Sequence, residues 1–319
     1  MKAIIGTDPE EAAYHLQRGG LVAIPTETVY GLAANALDPS AVVKIFEAKH
    51  RPGFDPLIVH IDRFEQIAEL ATQFPAEAMK LTEYYWPGPL TIILPKRPIV
   101  PDLVTSGLQT VGIRMPAHPM TQELLSLLRF PLAAPSANPF GYVSPTTAEH
   151  VADQLGDKVD YILDGGPCQV GVESTIISFA DSPPKVLRLG GLELSQIRKL
   201  IKEFEVSQHS SDNPVAPGML SAHYSPKKKV IIGNLPKLVK TYSDENICYL
   251  SFQDEYDFPG QVLSRKGDLQ EAAHNLFAAL RKLDEEKCEI ILAELVPERG
   301  LGRAINDRIR RAAKGSINR

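Results

Sequence analysis

The sequence predicts an α/β protein of two domains, a twisted mixed sheet followed by a smaller three-layer α/β unit. Three observations carry that reading. Short β-branched runs such as LIVHI, LTIIL, TVGIRM and STIISF alternate irregularly with amphipathic stretches. A polar, proline-bearing segment without periodicity, VSQHSSDNPVAPGMLSAHYSPKKK, follows them. Beyond it, from VIIG onward, strand and helix patterns alternate, as in a layered α/β unit. The length of 319 residues suits about two ordinary domains.

Taken in order, DPEEAAYHLQRGG reads as a capped helix ended by glycines and leading into the strand LVAIP. SAVVKIFEAKH is a second helix with Ser40 as its cap, and Ala41, Ile45 and Ala48 share one face. PLAAPS, YILDG and KVLRLG add strands, and DRFEQIAELATQ, MTQELLSLLRF and LSQIRKLIKEF add helices. After the linker come VIIG, ICYLSF, VLS, a long helix through LQEAAHNLFAALRKLDEEK, IILAELV, and a basic helix near LGRAINDRIRRAAK. The boundaries follow: a first domain at 1–205, a linker at 206–229 and a second domain at 230–319.

Composition narrows the function. Hydrophobic residues make up 44 % and charged residues 23 %, an ordinary globular profile. A net charge of −5 gives no global pull toward nucleic acid or an anionic membrane, so any anion site must be local. Three cysteines, Cys168, Cys248 and Cys288, without a CxxC pair, argue against a disulfide framework or a cysteine zinc site and suit a reducing compartment. No stretch approaches 18 consecutive apolar residues, and the opening residues turn acidic before any signal-length apolar run. The expectation is a cytoplasmic protein with no membrane association.

Several segments place hydroxyls and cations at strand ends. PTETVYGL carries Thr26, Glu27, Thr28 and Tyr30; AKHRPGFDP carries Lys49, Arg51 and Asp55; TVGIRMP carries Thr110 and Arg114. APSANPFGYVSPTT supplies Ser136, Asn138 and Ser144, GVEST supplies Ser174, and VLRLGG supplies Arg188. Each has an ordinary structural explanation: a solvated cation, a turn serine, a sheet histidine at His60, a glutamate paired with a neighbouring cation, a buried filler at Cys168. Six such segments within the first domain instead suit several anionic groups bound at once, such as a nucleoside triphosphate and a carboxylate. No GK dipeptide occurs, so there is no Walker A loop, and GxGxxG at a helix start, HExxH and GxSxG are also missing.

The strings PTETVYGLAANA, AKHRPGFDPLIVHI, YWPGPLTIIL, VGIRMPAHP, PSANPFGYVSPT, DGGPCQVGVESTI and VLRLGGL, in this order, resemble the YrdC-like family. With a linker and a C-terminal segment like GLGRAINDRIRRAA, the chain is similar to the long, two-domain L-threonylcarbamoyladenylate synthases. The resemblance implies a twisted, largely parallel sheet with a large concave cavity and a Rossmann-like C-terminal domain. It implies condensation of ATP, L-threonine and bicarbonate or CO2 into threonylcarbamoyl-AMP and pyrophosphate, for t6A at position 37 of tRNA. Implied partners are tRNA and a downstream t6A transferase complex, and Mg2+ is implied with the nucleotide, without identifiable protein ligands. By matching position, the threonine subsite would comprise Thr28, His60, Arg114, the Ala134 backbone and Ser174. The ATP subsite would comprise Arg51, Asp55, Thr110, Ser136, Ser144, Arg188 and, from the linker, Tyr224. Lys49 and Arg51 match the family's KxR pair and would be catalytic, sharing a direction if this stretch is extended. Asp55 stands where related sequences carry an amide, so it needs a metal, an adenosine-side contact or a cation partner. Two other readings are a carbamoyltransferase-related enzyme, disfavoured by the missing CxxC, and a double-stranded RNA-binding module.

Overall fold

The computed structural model describes residues 3–207 and 214–317, with side chains at the C-terminal end through residue 315. The chain divides into two compact units. The first is residues 1–140, 145–169 and 173–220; the second is 141–144, 170–172 and 221–319.

The first unit is built on one sheet of eleven strands: β1 (Ile4–Gly6), β2 (Val22–Ile24), β3 (Gly31–Asn35), β4 (Ile58–His60), β5 (Leu90–Pro95), β6 (Thr110–Arg114), β7 (Leu132–Ala133), β8 (Tyr161–Leu163), β9 (Thr175–Ser178), β10 (Lys185–Arg188) and β11 (Glu205–Val206). They lie in the order β1-β8-β2-β3-β7-β4-β6-β5-β9-β10-β11. Neighbouring pairs divide evenly between parallel and antiparallel. The sheet is therefore mixed, where the resemblance implied a largely parallel one. Most side chains in the strands are buried on both faces, with Val22, Ile24, Leu32, Val59, Ile92, Ile113 and Ile177 at the centre, which is why the strands read as apolar runs.

Local sequence explains the flanking helices. Asp8 caps the helix Pro9–Gln17 by accepting from the Glu10 amide, and Gly19 takes a positive φ just beyond its end. In the helix Pro39–Lys49 the cap is Asp38, not Ser40. Pro39, lacking an amide proton and fixed in φ, occupies the first helical turn, so the capping carboxylate must precede it.

The second unit carries four parallel strands, β12 (Lys229–Ile232), β13 (Ile247–Ser251), β14 (Gly260–Val262) and β15 (Ile290–Ala293), in the order β12-β15-β13-β14. Helices Leu235–Thr241 and Leu269–Glu285 lie between successive strands, and Gly302–Ile317 follows the last. That is a Rossmann-like alternation. The unit also joins Cys248, on β13, to Cys288, just before β15, in a disulfide with Cα atoms 5.7 Å apart. The reading of the cysteines as arguing against disulfides is corrected for this pair: 40 positions of separation conceal a pair that strand adjacency creates.

The stretch expected as a linker at 206–229 runs from the last residue of β11 to the first of β12, and its residues 208–213 fall outside the described residues. Within the first unit, Ala216 and Met219 pack on Ile58, Ile93 and Ile176 of the sheet.

Candidate active site

Strands β4 and β6 run parallel with His60 opposite Arg114, and β5 sets Thr91 opposite Arg114 from the other side. All three side chains are buried. The Arg114 guanidinium donates through one terminal nitrogen to Glu27 Oε1 at 2.6 Å and to Thr28 Oγ1 at 2.8 Å. Its Nε is buried with no hydrogen-bond partner among the described residues. Glu27 Oε2 is held in turn by the Ala117 amide at 2.9 Å. Thr28 Oγ1 lies 2.8 Å from Thr26 Oγ1, which donates to the Val29 carbonyl and accepts from the Thr28 and Val29 amides. This tight turn is why TETV is a loop: Thr26 does locally what a strand partner would otherwise do. Burial, assisted by the Arg114 charge, holds His60 down at about 3, outweighing the Ile58 and Leu132 carbonyls that favour its protonated form.

A hydroxyl relay joins this corner to Arg188. Thr91 Oγ1 lies 2.8 Å from Ser174 Oγ, and Arg188 donates to Ser174 Oγ and to the Ser174 carbonyl, each at 3.0 Å, and to the Pro217 carbonyl at 3.1 Å. Gly190 makes the approach feasible, because a Cβ there would collide with the Glu173 carbonyl and the Ser174 backbone. Beside the relay a cavity is lined by Ile58, Ile93, Gly112 and Ile176, with Thr91, Thr105 and Thr110 as its polar members and Val215 and Pro217 from the segment after β11.

The cations of the AKHRPGFD stretch take separate partners. The helix ends at Lys49, and His50 adopts the left-handed conformation, φ 51°. The segment is therefore not extended, and the expected shared direction fails. Lys49 Nζ donates to the Ser136 carbonyl at 2.5 Å and to the Asn138 carbonyl, and is 1 % exposed. Burial, with Arg51 nearby, pulls its ammonium well below the ordinary lysine value, while Asp55 opposes the shift. Arg51 donates to the Asp55 and Pro56 carbonyls and lies 2.9 Å from Asp55 Oδ2 as an ion pair. Asp55, fully buried, has its pKa raised by burial against the lowering influence of Arg51, Lys49 and Arg188. The carboxylate thus has the cation partner its position requires.

Ala134 lies next to Gly31, and its amide donates to the Ile58 carbonyl at 3.0 Å. Thr28, His60, Arg114, Ala134, Ser174 and Arg188 thus come together around β4, β5 and β6, with Thr110 on the neighbouring cavity; Lys49, Arg51, Asp55 and Ser136 form the adjoining cation cluster. Ser144 and Tyr224 belong to the second unit. There the Ser144 carbonyl accepts from Arg281 Nε at 3.3 Å. Tyr224 is 1 % exposed, stacks on Phe277 with centroids 5.5 Å apart, and lies under Arg308 at 5.0 Å. Its φ of 60° is rare for a tyrosine and costs on the order of 1–3 kcal/mol, which the surrounding packing must sustain. Glu27, read from sequence as a glutamate paired with a neighbouring cation, is paired with Arg114, and Thr91 was not singled out from sequence. Only the length of the Arg114 side chain and the strand register, neither visible in one string, link them to it.

Among the described residues no group of three or more His, Cys, Asp or Glu side chains converges to hold a metal ion, and no helix is long and apolar enough to cross a membrane.

Comparison with known proteins bears on this geometry. Residues 15–190 match the family described as "Telomere recombination", and residues 192–314 match "Threonylcarbamoyl-AMP synthase, C-terminal domain". The threonylcarbamoyl-AMP synthase of Pyrococcus abyssi is 46 % identical over 95 % of this chain and 93 % of its own length. That of Bacillus subtilis is 41 % identical over 98 % and 95 %. The crystal structure of P. abyssi Sua5 complexed with L-threonine superposes with a TM-score of 0.94 at 42 % identity, covering 99 % of this chain and 98 % of that one. A full-length HypF covers 57 % of this chain and 29 % of its own at 24 % identity, a likeness of fold alone. The chain belongs to the threonylcarbamoyl-AMP synthase family, in its two-domain form.

Proposed function

We propose that this protein condenses L-threonine, bicarbonate or CO2, and ATP into threonylcarbamoyl-AMP and pyrophosphate. One observation carries the assignment to this site: the buried Arg114 fork, braced on one side by Glu27 and Thr28, with a second buried donor, Nε, left to bind a carboxylate. Threonine's carboxylate binds there, with neutral His60 and the Ser174 hydroxyl beside it. The Ala134 backbone closes the subsite.

The threonine amine adds to the carbon of CO2 and loses a proton, giving a carbamate. A carbamate oxygen attacks the α-phosphorus of ATP, the bond to the bridging oxygen breaks, and pyrophosphate leaves with the electron pair, roughly in line. Positioning and charge neutralisation supply most of the acceleration. Arg51 and Arg188 take the phosphate charge, Asp55 keeps Arg51 oriented, and Thr110 and Ser136 add polar contacts. Lys49 acts through the loop, because its ammonium is committed to the Ser136 and Asn138 carbonyls; it is a positioning residue here.

Asp55 is the one carboxylate among these cations and is paired with Arg51, a donor set unlike an oxygen cage for a hard cation. Any Mg2+ would therefore be held by the phosphates of ATP, where it would neutralise their charge, and not by this donor set. The reaction is placed in the cytoplasm, where the product serves t6A formation on tRNA by a downstream transferase.

The test is pyrophosphate release from ATP with and without L-threonine and bicarbonate. Release should need both. Equal release without threonine overturns the reading.

A further inference from the structure

Gly112 stands in the middle of β6, yet the fold gives it no reason to be glycine. β6 is an inner strand, paired with β4 on one side and β5 on the other. Glycine weakens a strand interior, because it loses more chain entropy on folding and brings no side chain to the packing. Where glycine is required, a positive φ or a close neighbour shows it, as at Gly190, whose Cβ would strike the Ser174 backbone. Gly112 has neither. Its φ lies outside the left-handed region, and a Cβ there would meet only Ile58 Cγ1 and Thr91 Cγ2 at 3.6 Å and Ile93 Cγ1 at 3.9 Å, ordinary van der Waals contact.

What the missing side chain leaves is space. Ile58 and Ile93 stand opposite Gly112 in register and are buried, while Gly112 itself is half-buried and lines the cavity beside the Ser174 relay. Arg114, two residues on, falls on the same face of β6. The cavity is therefore continuous with the Arg114 corner, and every residue of both belongs to the first unit.

The lining selects a chemistry. No ionisable side chain lines the cavity. A phosphate, carboxylate, ammonium or bicarbonate would enter it unpaired, at a desolvation cost. Isoleucines beside a bare strand instead suit the flat face of an uncharged ring, which a strand glycine lets approach the backbone closely. The neighbouring cations say which ring. Arg51 donates to the Pro56 carbonyl and Arg188 to the Pro217 carbonyl, and both prolines line the cavity.

We infer that Gly112 is a specificity-determining residue, the bare floor against which the purine of ATP lies. The inference rests on the function proposed above, which gives Arg51 and Arg188 to the phosphates.

The experiment uses full-length Gly112→Ala and Gly112→Val, thermal melting, and steady-state pyrophosphate release with ATP, threonine and bicarbonate varied separately. Gly112→Ala should melt at or above the wild-type midpoint and yet raise the KM for ATP about tenfold or more, and Gly112→Val about a hundredfold, the range that a small change of volume in an apolar pocket commands. The KM values for threonine and bicarbonate should stay within about twofold. Where a folded variant turns over too slowly for a KM, calorimetric Kd values for ATP and threonine should show the same split. An unchanged KM or Kd for ATP in both variants overturns the inference. So does a rise confined to threonine or bicarbonate, or shared equally by either, which would put that substrate in the cavity. A Gly112→Ala protein that fails to fold, or melts clearly below wild type, also overturns it by giving the glycine a structural reason. Wild-type enzyme without threonine-dependent release would instead overturn the function on which it rests.

Discussion

His60 makes stability depend on pH in a way that can be worked out from its surroundings. Its folded pKa lies at about 3, lowered first by burial and then by Arg114, against an ordinary value of 6.5. The unfolded chain therefore binds a proton at His60 more readily than the folded one. Stability from this group is complete above pH 6.5 and is lost as pH falls from 6.5 toward 3. Each pH unit in that window is worth about 1.4 kcal/mol, so the step from pH 6.5 to 5 costs about 2 kcal/mol. For a domain of this size that is on the order of 5 °C in the melting midpoint. Asp55, with its raised pKa, works in the opposite sense, losing stability as pH rises from the ordinary carboxylate value through the folded one. Asp55 is present in both proteins when wild type is compared with His60→Gln, so the difference between their denaturation profiles isolates the histidine. The wild-type midpoint should fall more steeply than that of the variant between pH 6.5 and 5. Parallel profiles would refute the claim that His60 is buried in its neutral form.

Other consequences are open to direct measurement. Arg114→Lys should raise the KM for threonine about tenfold or more and that for ATP much less, because one ammonium cannot serve Glu27, Thr28 and a substrate carboxylate together; equal effects would place Arg114 elsewhere in the reaction. His50→Gly should leave stability unchanged or raise it by up to about 1 kcal/mol in urea denaturation, since φ 51° favours glycine and only the contact of His50 with Lys158 is given up; a clear loss would show that this contact matters more than backbone strain. Cys288→Ser should destabilise the oxidised protein by up to about 4 kcal/mol from loop-closure entropy across 40 positions, and should have little effect in the presence of a thiol reductant; identical melting of wild type with and without reductant would exclude a stabilising disulfide.

Much of the fold was legible because its signals are local. LTIIL, TVGIRM and STIISF became β5, β6 and β9, where β-branched runs and flanking turns coincide. GLAAN gave no such signal. Its alanines favour a helix, yet it forms β3 because β2 and β7 pair with it on either side. The mixed character of the sheet was legible in the irregular alternation of strand and helix patterns, but which neighbours run parallel was not, since strand direction depends on connections that no short window contains. At the site, residue types were legible and their partners were not. Glu27 and Arg114 are 87 positions apart, and only β6 carries one to the other. The different destinations of Lys49 and Arg51 follow from one backbone torsion at His50, a residue whose type does not announce a left-handed conformation.

The partners of the buried cations also bear on how the proposed site would take two unlike substrates. Arg114 is matched by Glu27, so the corner proposed for threonine is nearly neutral before a ligand arrives. An amino acid carrying one positive and one negative charge gains little there from long-range attraction and is selected by short, desolvated hydrogen bonds, which reward correct geometry. The neighbouring cluster is built differently: Lys49, Arg51 and Arg188 all act on one carboxylate, Asp55. Even with the Lys49 ammonium weakened by burial, cations outnumber the acid, and the surplus suits a polyanion such as a triphosphate. Placing a further acid beside Arg188 would cancel that surplus, whereas removing Asp55 would take away the ion pair that, with the Asp55 and Pro56 carbonyls, holds the Arg51 guanidinium in place. The one acid at this end therefore trades a little attraction for orientation, while at the threonine end the full balance of charge keeps the larger anion from binding in the wrong place.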